Sequence, residues 1–195
     1  MASDRKAVPR ATRDAVLGEY NHACAICGTA NPQVHHIDGD HSNNDALNLL
    51  PLCPNCHLSD QHNPTKPLDP ARVALFRRFK DPVILSAQFE PLFARLRFLD
   101  AADDDVADIK TLESSATELV DFVAALEMGQ FYSKRLTELI GPDSHARFWT
   151  AGTPQSEFER WDREDLAKSV GKLTENRETV YELVVELLRY QAWHD

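Results

Sequence analysis

A chain of 195 residues is long enough for one medium domain or two small ones, and 43% apolar residues can build a core, which argues against wholesale disorder. No stretch approaches the roughly 18 to 20 apolar residues that a membrane span needs, and Met1–Arg10 is charged with no apolar signal core, so a cytoplasmic protein without a membrane partner is expected. The net charge of −10 looks hostile to nucleic acid, but residues 1–80 carry nine Lys/Arg, eight Asp/Glu and six of the eight histidines, whereas residues 81–195 carry twelve Lys/Arg against twenty-three Asp/Glu. The deficit falls wholly in the second part, so total charge does not exclude a polyanionic partner for the first.

In chain order, a short helix is expected over about Arg13 to Tyr20, with Ala15, Val16 and Tyr20 on one face. Cys24 and Cys27 bracket a tight turn ending in Gly28, and Gln33 to Ile37 reads as a short strand. Asp38-Gly39-Asp40 and Ser42-Asn43-Asn44 carry turn chemistry, because Gly and Asn tolerate positive φ. Leu47 to Cys53 is apolar and re-enters the core. Pro54 suits the first turn of a helix holding Cys56, His57 and His62, and Pro64, Pro67 and Pro70 mark a break.

From about Asp69 the pattern turns helical. One segment spans Leu68 to Phe79, a second Leu85 to Leu99, and one long helix or two cover Val106 to about Ile140. Glu164 to Trp193 is the clearest, with Leu166, Val170, Leu173, Val180, Leu183, Val184, Leu187 and Leu188 at helical spacing. This stripe reads as a bundle core. The run Asp103-Asp104-Asp105 reads as a solvated helix start. There is no internal repeat.

All four cysteines lie between positions 24 and 56, as Cys24-x2-Cys27, twenty-five residues, then Cys53-x2-Cys56. Two such pairs can complete a tetrahedral thiolate shell, which suits Zn²⁺. Four buried free thiols, or a redox role for one pair, leave the matched pairs and the flanking histidines unexplained. A closed four-thiolate shell has no open position, so the zinc expected here is structural and holds a core-poor segment in shape. Between the pairs lie His35 and His36, then Asn48, and His57 directly follows Cys56. Adjacent strand residues face apart, so one of His35 and His36 can bind a metal while the other faces a reacting group. Zinc would bring His57 back beside that strand and so create a second, imidazole-built site.

The segment from about Ala23 to His62 resembles the HNH endonucleases, in the subgroup whose ββα-metal finger is braced by two Cys-x2-Cys pairs. The resemblance rests on CAICG at 24–28, VHHIDGD at 34–40, SNN at 42–44, NLLPLC at 48–53 and PNCH at 54–57, about a fifth of the chain but in the right order. It implies a small treble-clef-like HNH nuclease domain over 1–80; the helical spacing and the charge shift near position 81 add an acidic α-helical region over 81–195, so an α+β protein is expected. The resemblance implies His36 as general base and Asn48 as the residue that holds the loop and orients that base. His35, often Asp in relatives, and His57 would be ligands of one catalytic divalent ion, Mg²⁺ or Mn²⁺. His62 is a candidate further ligand, although its spacing is one residue longer than in colicin-type DNases. His41 and Asp38 fall in the variable loop and read as surface residues. A neutral imidazole, with a pKa of about 6.5, suits removing a proton from water during phosphodiester hydrolysis. The implied function is a DNA endonuclease or nickase, with a restriction or phage-defence role suggested by resemblance alone. The alternative is a catalytically inactive zinc finger that binds nucleic acid or acts as a protein adaptor. For the second part the choice lies between a scaffold and a module for self-association or a protein partner, with Trp149, Trp161 and Trp193 as candidate anchors.

Overall fold

The computed structural model describes residues 6–57, 69–101, 108–141 and 154–192. They form a mostly helical protein with one small two-stranded sheet, in two compact units, Met1–Ser86 and Ala87–Asp195. Among the described residues no helix is long and apolar enough to cross a membrane.

The first unit begins with α1, Arg10–Glu19, whose Val16 is fully buried. A tight turn follows. Gly28 donates to the Cys24 carbonyl at 2.9 Å and Cys24 to the Thr29 carbonyl at 2.8 Å, and the φ of Gly28 is 73°, a conformation in which a Cβ is strained. Strands β1, Gln33–His36, and β2, Leu49–Leu52, pair antiparallel with His35 opposite Leu50 and His36 opposite Leu49. Every residue of β2 is buried. Pro51 has no N–H to give a ladder, but its carbonyl accepts from Ala25 at 2.8 Å and so ties the cysteine turn to the sheet. A 3₁₀ turn, Ala46–Asn48, leads into β2, and α2, Pro54–Cys56, follows with Pro54 in its first turn.

Helix α3, Pro70–Phe79, completes this unit. Pro70, read from sequence as part of a break, starts this helix, and Asp69 caps it by accepting from the Ala71 N–H. Arg72, almost wholly buried, donates to the carbonyls of Ile84 and Ser86. These bonds hold the 3₁₀ turn Pro82–Leu85 against α3, which is why the unit extends past residue 80 to Ser86.

The segment expected as one helix over Leu85 to Leu99 is broken. A 3₁₀ turn, Ala87–Phe89, precedes α4, Glu90–Leu96, and then comes α5, Phe98–Ala101. Pro91 is the cause: it lacks an N–H and fits only the first turn, so a helix begins there instead of running through. Of the span expected from Val106 to Ile140, the described residues form two helices, α6, Ile109–Ala124, and α7, Gly129–Ile140. Their junction needs Gly129, because a Cβ there would lie 2.0 Å from the Val123 carbonyl oxygen. Helix α8 is longer than expected, Gln155–Ala192. The nine residues it adds ahead of Glu164 hold only two apolar side chains, Phe158 and Trp161, too few for the stripe by which a helix is recognised from sequence, and no residue before Leu173 is fully buried. Leu112, Ala116, Leu119 and Val123 of α6, Tyr132, Leu136 and Ile140 of α7, and Leu173, Val180, Val184, Leu187 and Leu188 of α8 are the buried stripes of this second unit. Among the described residues it has no strand. Asp103–Asp105, Trp149 and Trp193 lie outside the described residues. Trp161 stands edge-on to Phe158, with ring centroids 5.4 Å apart.

One ion pair in the first unit sets a pH dependence. Glu19 accepts from Arg77 at 2.9 and 3.2 Å and pairs with Lys80 at 3.1 Å. The Arg77 hydrogen bond, against some desolvation, holds the Glu19 carboxyl below its ordinary value of 4.5. A carboxyl depressed by folding adds stability that is present above its unfolded pKa and is lost as pH falls through the lower folded value. Glu19→Gln is therefore expected to lower stability at neutral pH and to flatten the acid side of the profile below about pH 4.5. Urea unfolding at stepped pH, compared with wild type, checks this.

Candidate metal and imidazole sites

The Sγ atoms of Cys24, Cys27, Cys53 and Cys56 all lie within 4.8 Å of one another. A tetrahedral shell with Zn–S bonds of about 2.3 Å requires S···S edges of about 3.8 Å. The Cys27–Cys53 separation is 3.5 Å. The cluster is compatible with a structural zinc, and the local fold explains how it arises. Two ligands come from the turn that closes on Gly28, and two come from the end of β2 and the first turn of α2, where Cys53 Sγ accepts from the Cys56 N–H at 3.4 Å.

The protonation chemistry of the four thiols is uneven. The Thr29 hydroxyl, 3.1 Å from Cys27 Sγ, the Thr29 backbone and the neighbouring sulfurs bring the Cys27 thiol down to about 6. Burial, then the three other sulfurs, push the Cys56 thiol well up. Four thiolates cannot share so small a volume unaided, because each anion raises the cost of the next. A divalent cation at their centre would supply the missing positive charge, and the donor set is compatible with a structural zinc.

His35 on β1 and His57 just after α2 converge. His35 Nδ1 and His57 Nε2 are 2.9 Å apart, with the rings edge-on at a centroid distance of 4.7 Å. Both rings are half-buried. Two nitrogens on adjacent positions of an octahedral ion, at bonds of about 2.1 Å, stand about 3.0 Å apart. The pair therefore presents two imidazole nitrogens at a separation that one cation can bridge.

Asn48 organises the loop between the strands. Its Oδ1 accepts from the Asp38 N–H at 3.0 Å, and its Nδ2 donates to Asp38 Oδ1 at 2.9 Å and to the Asn43 carbonyl at 3.0 Å. One amide thus pins both ends of the loop. Burial alone would raise the pKa of Asp38, but the hydrogen bonds from Asn48, Asn43 and the Asp40 backbone outweigh it and leave the carboxylate below 3.8.

His36 departs from expectation. A general base facing a reacting group is expected to stand open to solvent, but His36 is only 7% exposed. Nε2 lies 3.1 Å from Asn44 Oδ1, and Nδ1 lies 3.5 Å from Nδ1 of His41, whose ring stands edge-on to it. The enclosure is polar and is made by the loop that Asn48 holds, so Asn48 acts on His36 through Asn44 and His41. Residues 38, 41 and 44 look like ordinary turn residues in the sequence. Only the short span from His36 to Asn48 hints that the loop folds back over the strand end. His62 lies outside the described residues. Comparison with protein-family models, with curated proteins and with solved structures finds no match.

The four-sulfur cluster makes a direct prediction. The purified protein is expected to carry one zinc per chain, and Cys53→Ser is expected to lose both the metal and the fold of the first unit. Zinc sites of this kind contribute roughly 10 kcal/mol or more to folding. Elemental analysis together with near-UV circular dichroism checks both. A variant that keeps native spectra without zinc contradicts the assignment.

Proposed function

We propose that the first unit is an HNH-type, zinc-stapled ββα-metal finger that hydrolyses phosphodiester bonds in DNA. The observation that carries this reading is the 2.9 Å convergence of His35 and His57 beside the four-cysteine cluster. On this reading the four thiolates keep the finger in shape, and His35 and His57 would hold one divalent ion, Mg²⁺ or Mn²⁺. When bound, that ion supplies Lewis-acid stabilisation of the phosphorane charge and of the leaving oxygen.

The chain's own residues have distinct parts. His36 is the proposed general base. The Asn44 side-chain oxygen can only accept, so the proton of the neutral His36 ring sits on Nε2 and the lone pair on Nδ1. His41 covers that nitrogen from the solvent side. For His36 to take a proton from water, His41 must give way to the water. Asn48 fixes the loop that carries both Asn44 and His41. The nearly neutral charge of residues 1–80 is compatible with a DNA substrate, and the acid excess lies in the other part.

A second reading is favoured by one observation, the enclosure of His36. If the ring never opens, the finger is a catalytically inactive module that binds nucleic acid or a protein, and the helical second unit carries the biology. That unit is proposed in either case as a surface for self-association or a regulator. A role in restriction or phage defence is the biological setting proposed for the nuclease reading.

Plasmid relaxation with Mg²⁺, Mn²⁺ or EDTA separates the two readings. His36→Ala is expected to lose about 10² to 10⁴ in rate while zinc content and DNA binding persist. His57→Ala is expected to raise the Mg²⁺ or Mn²⁺ requirement or abolish cutting. Cleavage by His36→Ala at the wild-type rate removes His36 as the base. Absence of cleavage by wild type with either metal favours the adaptor.

A further inference from the structure

Arg77 of α3 has a guanidinium whose bonding is unusual for a residue this far from the finger in sequence. Its side chain is 2% exposed. Nε donates to the Leu49 carbonyl at 2.8 Å, and Nη2 donates to the Ala46 carbonyl at 3.1 Å. These two carbonyls lie on either side of Leu47-Asn48. The other edge of the guanidinium meets the Glu19 carboxylate at 2.9 and 3.2 Å, and Glu19 belongs to α1. One planar fork therefore fastens α1, α3 and the turn that presents Asn48. The Leu49 carbonyl is buried, whereas the Ala46 carbonyl also accepts from the Leu49 N–H, and one rigid donor that serves both fixes their relative position at the 3₁₀-to-strand junction.

The chain of contacts continues. Asn48 holds Asp38 and Asn43, and the same loop carries Asn44 and His41, which enclose His36. We propose that Arg77, backed by Glu19, is a positioning residue for the nuclease centre: it sets the Ala46–Leu49 backbone, and through Asn48 it sets the loop that governs His36. The catalytic consequence rests on the nuclease reading above, whereas the positioning of Asn48 does not. Helix α3 would then be part of the site's frame and not a scaffold attached to a self-sufficient finger.

The decisive variant is Arg77→Lys, which keeps the charge facing Glu19 but cannot serve two carbonyls and a carboxylate in one plane. Two measurements are made on the full-length zinc-loaded chain. In ¹H–¹⁵N spectra the Asn48 side-chain amide, whose hydrogens go to Asp38 and Asn43, is expected to shift and to exchange faster. In cleavage assays kcat is expected to fall by about 10²-fold, the loss typical of a small misplacement of catalytic groups, with KM for DNA and the metal requirement unchanged. The double variant with Asn48→Ala is expected to lose no more than Asn48→Ala alone, because both act through one element. Losses that multiply, or an unmoved Asn48 amide, overturn the proposal. If Arg77→Lys loses its zinc, Glu19→Gln replaces it, with the same amide shift and a loss of about tenfold expected from a weaker grip on the same fork, and an unmoved amide again overturning the proposal. If wild type cuts no DNA, the nuclease reading falls together with the catalytic consequence, and the Asn48 amide still decides whether Arg77 sets that side chain.

Discussion

Four sulfurs within 4.8 Å of one another are the constraint on which the first unit depends. The unit is small. Its sheet has two strands of four residues each, and a two-stranded sheet is marginal in water. The cysteine turn and the start of α2 bury few side chains besides the cysteines, whereas the end of β2 lies in the core. The cluster draws these three pieces to one point. Because His57 follows Cys56 directly, the same constraint also delivers an imidazole to the edge of β1. The local fold around the cysteines and the meeting of His35 with His57 go with one arrangement of thiols.

Around that arrangement lie two polar assemblies of different character. The imidazole pair is half-buried, with ring nitrogens facing each other across 2.9 Å, a geometry that one cation can bridge. His36, on the opposite face of the strand, is enclosed by a loop that the Asn48 amide ties to Asp38 and Asn43, alongside hydrogen bonds within the loop that involve Asp38, Asp40 and Asn43. The proposed reaction needs the first assembly to stay fixed and the second to open, since a base sealed from water takes no proton. The division of labour is consistent with the building materials. The imidazole pair is anchored by a strand and by the cysteine-bearing helix start, whereas His41 sits on a turn.

Much of this was legible in the residues. Paired cysteines announce themselves by spacing, and so does the return of His57 to the strand, because the geometry of a tetrahedral shell is fixed by its ligands. The alternation of a strand was enough to separate His35 from His36. What the sequence could not show is what covers a side chain. The enclosure of His36 depends on how the twelve-residue connection between the strands folds back, and Asn, Asp and His in such a connection read as solvent-exposed turn chemistry. Arg77 was hidden for a different reason: it lies 58 positions from Glu19, and an arginine on an amphipathic helix reads as surface until its partners are seen. The bundle followed its apolar stripes where residues are buried, as in α6 and α7. It departed from them at Pro91, which restarts a helix, and at the start of α8, where the residues ahead of Glu164 carry only two apolar side chains.

The central claim is that two metal sites of different chemistry stand side by side, one of thiolates and one of imidazoles. Anomalous diffraction from crystals grown with Mn²⁺, recorded on both sides of the zinc and manganese absorption edges, tests it directly. The account predicts a zinc peak among Cys24, Cys27, Cys53 and Cys56, and a separate manganese peak about 2.0–2.2 Å from His35 Nδ1 and His57 Nε2. A zinc peak alone, with the two imidazoles still hydrogen-bonded to each other and no manganese between them, would contradict it.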